Sequence, residues 1–372
     1  MKTKMLAAAA TAMLLLVLAA CGSSDSSTSG SSSSGGGGSS SASGGTINGA
    51  GATFPQPIYS EWAARFKDKT GTTVNYQGIG SGGGIAQFTA GTVDFGATDS
   101  PMDDAEMKAA EKKGQPVHVP TVLGAVTISY NVNGVDKGLK LDGKTAADIF
   151  LGKVTKWNDP EIKSLNSGVN LPGTDITVCH RSDESGTTKN FLQFLADYSP
   201  EWANGPGVDK AVKWPTGTGA KGNDGVAGCI KQTDGVVGYV EQAYALQNNF
   251  TYASVKNKAG KFIEPSLQAT SAAADGISVP ADLRFTTINS PSPQAYPISA
   301  ITFLLVYQDM CKAGVKQGAA QDAKAWLDYA EGDGQKVAPQ LQYAPLPESI
   351  KSKATAKVAS LQCNGSALKA AS

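Results

Sequence analysis

From Thr46 onward, short β-like apolar runs alternate with helix-like ones, and glycines and hydroxyl residues collect where a strand-like run gives way to a helix-like one. That alternation predicts an α/β architecture with largely parallel sheets. Strands are expected at Val74 to Gln77, Val93 to Ala97, Ala125 to Tyr130, Ile176 to His180 and Val236 to Val240. Helices follow from apolar spacing: Ile58, Trp62 and Phe66 share one face after Pro55, and Phe191, Leu195 and Tyr198 share one after Thr187. A third helix is expected in the glycines after Ser81, and no internal repeat is evident.

A chain of 372 residues with 41% hydrophobic content can bury a sizeable core, and its length points to two domains. Lys plus Arg and Asp plus Glu both total 32, so no summed positive field draws in nucleic acid or an anionic membrane. Any anion must be held locally. Residues 1–20 have the order of an export signal, with Lys2 and Lys4, an apolar run through Leu14 to Leu18, and small Ala19 and Ala20 before Cys21. The run is too short to span a bilayer, which takes about 20 apolar residues. LAAC resembles a bacterial lipobox, with Cys21 as the lipidated residue. The Ser/Gly tract of residues 22–45 reads as a flexible tether reaching about 27 Å.

Cys179, Cys229, Cys311 and Cys363 remain, an even number in an exported chain, and two disulfides are expected. Of three pairings, Cys179 with Cys229 and Cys311 with Cys363 are favoured, because each pair then lies within one proposed domain. No CxxC spacing or accompanying histidine supports a metal site, and no cofactor is expected.

The strand-to-helix junctions carry the chemistry. The first amide groups of a helix lack internal acceptors and the aligned peptide dipoles favour negative charge there. GAGATF, at residues 49–54, offers the Thr53 hydroxyl and the Phe54 amide; alone, Thr53 reads more simply as a helix cap. QGIGSGGGIAQF lets the backbone approach a ligand and supplies Ser81. Its GxGxxG match is weak evidence for a dinucleotide, and the glycines alone would make a tight turn. HRSDESGTTKNF places Arg181 and Asp183 just before Ser185, Gly186 and Thr187. Arg181 can give paired charge-assisted hydrogen bonds to an oxyanion while Asp183 holds the guanidinium; the plainer alternative is a surface ion pair beside a capped helix.

Asp99, in VDFGATDS, is out of place in an anion site unless it reads a proton. Phosphate near neutral pH still carries one and can donate it to a carboxylate, whereas sulfate can only accept. A site demanding such a bond rejects ligands without it by about 10⁴ to 10⁵. Otherwise Asp99 would cap a helix beginning at Pro101.

GAGATF, VNYQGIGSGGGI, VDFGATDS, RSDESGT, KGNDGVAG and GYVEQAYA together resemble the PstS family of high-affinity phosphate-binding proteins, from Thr46 to the C-terminus. The resemblance implies a two-domain periplasmic-binding-protein-like α/β fold with phosphate in the interdomain cleft. Matching positions are Thr53, Phe54, Ser81, Asp99, Arg181, Ser185, Gly186 and Thr187, with Asp183 supporting Arg181. It also implies transmembrane subunits of an ABC importer as partners, an extracytoplasmic location with membrane contact through the lipid anchor alone, no nucleic acid, a monomer and no enzymatic activity. Two departures stand out: Glu184 where the family often has Gly, and Gly82 where it often has Ser. Domain I is expected to combine residues 46–122 and 298–372, and domain II to span 123–297.

An extracellular phosphatase is the main rival. It has little to build on: His118 and His180 lack the company a metal site needs, and Ser81 and Ser185 do not fit GxSxG, since Ile79 and Asp183 lie two residues before them. A surface signalling protein on the same fold is a second alternative, disfavoured by the intact set of hydroxyl, Arg and Asp residues.

Overall fold

The structure is a computed structural model that describes residues 44–136 and 138–371. The expected export signal, Cys21 and residues 22–43 of the tether lie outside the described residues.

Strand β1 (Thr46–Gly51) leads through helix α1 (Gln56–Thr70) to β2 (Thr73–Gly78), then through α2 (Ser81–Ala90) to β3 (Phe95–Thr98) and on past α3 (Asp104–Ala110) to the long strand β4 (Pro116–Asn131). Helix α1 forms where the spacing placed it. Ile58, Tyr59, Trp62 and Phe66 are buried along one face, and Gly71 ends the helix at φ 76°, where a side chain would be strained. Each such large apolar side chain, once buried, stabilises the fold by about 1.5–3 kcal/mol.

The central sheet runs β2, β1, β3, Ser299–Tyr307, β4, Val236–Glu241, Thr177–Arg181, Thr218–Ala220. Its β4 strand belongs to two halves. Pro116 to Ala125 pair antiparallel with Ser299–Tyr307, and Val126 to Asn131 pair antiparallel with Val236–Glu241. The flanking pairs, β1 with β2 and β3 on one side and Thr177–Arg181 with its two neighbours on the other, are parallel. The sheet is therefore mixed rather than largely parallel. An apolar run buried on both faces, as β4 is from Pro116 to Tyr130, does not encode strand direction. The result is two α/β lobes sharing β4, with β1–β3 and Ser299–Tyr307 in the first and Thr177–Arg181, Thr218–Ala220 and Val236–Glu241 in the second.

The expected strands are all present, shifted by a residue or two at their ends, except that the one at Ala125 to Tyr130 is the second half of the longer β4. The helix expected after Thr187 spans Gly186–Tyr198 and is capped by Ser185, whose side-chain oxygen accepts from the Thr188 amide. Phe191 and Leu195 are buried on it and Tyr198 is half-buried. Disulfides join Cys179 to Cys229 and Cys311 to Cys363. The first ties strand Thr177–Arg181 to helix Gly222–Gln232, both of which lead into the site. Closing a separation of 50 residues contributes about 4 kcal/mol in the chain-entropy account.

Candidate anion-binding site

Four helix N-termini meet between the lobes, two from each. From the first lobe come the loop before α1, with Thr53, and the start of α2, with Ser81; from the second, the starts of Gly186–Tyr198 and Gly222–Gln232. Their contacts are direct. Ser81 Oγ accepts from the amides of Asp99, at 3.2 Å, and Gly186, at 3.1 Å. Thr53 Oγ1 accepts from the Asn223 amide at 3.1 Å and from Asn223 Nδ2 at 2.9 Å, and Asn223 Nδ2 also reaches Thr187 Oγ1 at 3.2 Å. Thr53, Ser81, Asp99, Arg181, Ser185 and Thr187 are all buried. Each helix start adds partial positive charge where amide groups point outward.

Gly80 is required where it stands. It sits at φ 90° immediately before α2, and a Cβ there would press on Asp183 and the Glu184 carbonyl of the other lobe. The Gly82 amide donates to that same carbonyl at 3.0 Å. A Cβ on Gly82 would collide with the Glu184 side chain. The two departures from the family pattern thus face each other: the larger residue at 184 takes the space that a serine at 82 would need.

Arg181 is the cation of the site. Its Nε donates to Asp183 Oδ1 at 2.7 Å and its Nη2 to Asp183 Oδ2 at 2.5 Å. Burial alone would raise the Asp183 carboxyl, but the Arg181 hydrogen bonds and charge, with the Gly222 amide 3.1 Å from Oδ1, hold it below the usual range. One guanidinium edge is spent on this pair. Nη1, also buried, has no hydrogen-bond partner among the described residues. A buried charged donor without an acceptor is costly, and an anion between the lobes would supply one.

Asp99 faces the same space from the first lobe. Its Oδ1 accepts from Thr302 Oγ1 at 3.0 Å and its Oδ2 from Thr187 Oγ1 at 3.3 Å, while its carbonyl accepts from Asn190 Nδ2 at 2.6 Å. It does not cap a helix; Asp103 caps α3 in a reciprocal arrangement with Glu106. Burial pushes the Asp99 carboxyl up to about 7, against the opposing pull of Thr302, Arg181 and Thr187. Nor does Thr53 cap α1, which carries no side-chain cap.

Phe54 is held through its backbone. Its carbonyl accepts from the Tyr343 hydroxyl at 2.7 Å, and that hydroxyl also lies 2.9 Å from Glu241 Oε2. One hydroxyl hydrogen cannot serve both oxygens. With it on Phe54, the contact to Glu241 needs the carboxyl proton, in keeping with the burial that drives Glu241 well above the usual range. Burial thus disfavours a second negative charge beneath an anion site.

Specific roles for Asn223, Asn190, Glu241 and Tyr343 were not legible in the sequence. KGNDGVAG and GYVEQAYA contain Asn223 and Glu241, but nothing local shows what they touch; Thr302, a hydroxyl in the otherwise apolar run ITFLLVY, was the one readable hint. The histidines are accounted for by packing. His118 Nε2 accepts from the Met102 amide at 3.0 Å, and burial lowers its ring to about 4. His180 stacks on Trp214 with ring centres 4.5 Å apart. Among the described residues no group of three or more His, Cys, Asp or Glu is placed to hold a metal.

A family model described as a PBP superfamily domain matches residues 36–333. The phosphate-binding protein PstS of Pasteurella multocida is 43% identical over 315 residues, covering 84% of this chain and 89% of that one. The chain belongs to the PstS family. The PstS of Xylella fastidiosa (strain 9a5c) is 44% identical over 310 residues, 82% of each chain. In fold, this PstS-family protein is similar to the phosphate-binding protein from Stenotrophomonas maltophilia, with a TM-score of 0.64 at 21% identity over 84% of this chain and 93% of the other. That likeness identifies the two-domain periplasmic-binding-protein-like fold.

Proposed function

We propose that this protein is an extracytoplasmic receptor that captures inorganic phosphate between its lobes and passes it to the transmembrane subunits of an ABC importer, acting as a binding protein rather than an enzyme. The observation that carries the reading is Arg181: buried, pinned along one edge by Asp183 and left with Nη1 facing a space ringed by hydroxyls and helix starts. Thr53, Phe54, Ser81 and Asp99 contact phosphate from the first lobe, and Arg181, Ser185, Gly186 and Thr187 from the second. We place the lobe boundaries near residues 122 and 298, because β4 exchanges one antiparallel partner for the other between Ala125 and Val126, and the Val126 amide donates to the Ile298 carbonyl. Phosphate contacts that exist in full only when both lobes meet shift the population toward the closed form.

Calorimetric titration with phosphate, arsenate and sulfate tests the reading. Phosphate and the isosteric, protonated arsenate should bind, and sulfate should bind at least about 10⁴-fold more weakly. Equal binding of sulfate, or none of phosphate, overturns it.

Lipid anchoring through Cys21 supplies the membrane attachment and leaves the monomeric receptor on a tether. Cys21→Ser should release the protein from membranes with its phosphate affinity unchanged, since every proposed contact lies beyond residue 46. Fractionation and titration of the variant check both halves; retention in the membrane fraction would exclude the anchor.

A further inference from the structure

Among the described residues two ion pairs cross between the lobes outside the anion's proposed contacts: Arg284 with the almost fully exposed Asp104, and the more buried Lys210 with Glu106. Lys210 lies in the second lobe, between helix Pro200–Asn204 and strand Thr218–Ala220, and Glu106 lies on α3 in the first. Lys210 Nζ donates to Glu106 Oε1 at 2.6 Å. The lysine side chain is 5% exposed and the glutamate side chain 23%, so the ammonium is nearly dry in this closed arrangement.

Both partners are built into the site's framework. The Lys210 carbonyl accepts from the Ser185 amide at 2.9 Å, so the lysine backbone braces the loop that carries Ser185, Gly186 and Thr187. Glu106 Oε2 accepts from the Asp103 amide at 2.9 Å, and Asp103 Oδ1 accepts from the Glu106 amide at 2.8 Å. That reciprocal cap fixes the carboxylate just beyond the Asp99 segment. The ion pair therefore joins the two loops that grip the anion from opposite sides, without belonging to the grip.

We propose that Lys210 and Glu106 form an electrostatic latch that closes with the lobes and sets how long phosphate stays bound. The inference rests on the receptor function proposed above. Separating the lobes returns the ammonium to water, so the pair favours the closed form to the extent that its attraction exceeds the cost of drying the lysine. Breaking one partner in the closed form leaves the other without its counter-charge, and such losses fall mainly on the dissociation rate. Other charged groups also bear on this corner: Lys210 and Lys189 both act on Asp103, and the Asp209 carboxylate accepts from the Lys210 backbone amide at 2.7 Å, whereas the Lys210 ammonium pairs with Glu106. Latch and grip are separable: loss of the latch should hasten release without changing the preference for phosphate over sulfate.

The test uses the purified full chain with Glu106→Gln, Lys210→Met and both together. Glutamine preserves the reciprocal cap and methionine preserves most of the packed stem, so each variant removes the charge and little else. Dissociation is read by chasing bound radiolabelled phosphate with excess unlabelled phosphate. Each single change should speed release on the order of tenfold, and the double variant should be no more than about twofold faster than the faster single one, because the two residues act as one unit. Unchanged release in both single variants, effects that multiply in the double, or an altered phosphate-to-sulfate ratio overturn the latch alone. A wild-type chain that binds no phosphate overturns the receptor reading and the latch with it.

Discussion

Arg181→Ala should lower phosphate affinity by two to four decades. A hydrogen bond to a charged group contributes about 1.5–3 kcal/mol, and the guanidinium has at least one edge free for the anion. The loss does not end with the missing donors. Asp183 is held ionised chiefly by Arg181, and without it a half-buried carboxylate would stand beside the incoming anion with only the Gly222 amide and its own backbone amide for support. Part of the defect should therefore be repulsion. Arg181→Ala combined with Asp183→Ala should bind phosphate better than Arg181→Ala alone. Arg181→Lys should recover little, because a single ammonium cannot face Asp183 and the anion with two separate edges. Calorimetry on the three variants, each checked for an intact fold by circular dichroism, decides the matter; a folded Arg181→Ala protein that binds normally removes Arg181 from the site.

Much of this was legible in the sequence because the chemistry is written in contiguous loops. Arg181, Asp183, Ser185 and Thr187 fall within seven residues, and the strand-to-helix change around them is visible in the apolar spacing. Local signals of that kind survive without a structure. What the sequence withheld is contact between distant segments. Asn223 meets Thr53 across 170 residues, and Thr302 meets Asp99 across 203. Neither asparagine nor threonine announces a partner by its neighbours in sequence. Strand direction was hidden for a related reason: the doubly buried β4 reads the same in a parallel or an antiparallel sheet, and its partners come from chain segments more than a hundred residues away. The capping alternatives raised by Thr53 and Asp99 were reasonable from residue type, and geometry settled them, since both side chains turn into the space between the lobes instead of onto a helix of their own.

Asp99 should set selectivity more than affinity, and do so in a pH-dependent way. With its carboxyl raised to about 7, Asp99 is mostly ionised at pH 8 and accepts the phosphate proton, while sulfate meets acceptor against acceptor. At pH 6 it is mostly protonated, and its hydroxyl can donate to sulfate. Rejection of sulfate by the wild type should therefore weaken as the pH falls through about 7. Asp99→Asn keeps the oxygen that meets Thr302 and presents an amide donor on the other side, so the variant should bind sulfate at every pH while retaining most of its phosphate affinity. Stability should move with it. The folded-state value lies above the unfolded one, so the folded protein holds this proton more tightly, and the stabilisation is complete in acid and lost as the pH rises through about 7. Asp99→Asn should consequently raise the melting temperature relative to the wild type at pH 8 and raise it less at pH 5. Titrating both anions into both proteins at pH 6 and pH 8 at constant ionic strength, with melting curves alongside, tests the two effects separately. Sulfate binding that stays undetectable in Asp99→Asn at both pH values would assign discrimination to the combined pattern of the other donors and acceptors, since the Asp99 carboxylate would then have been neutralised without consequence.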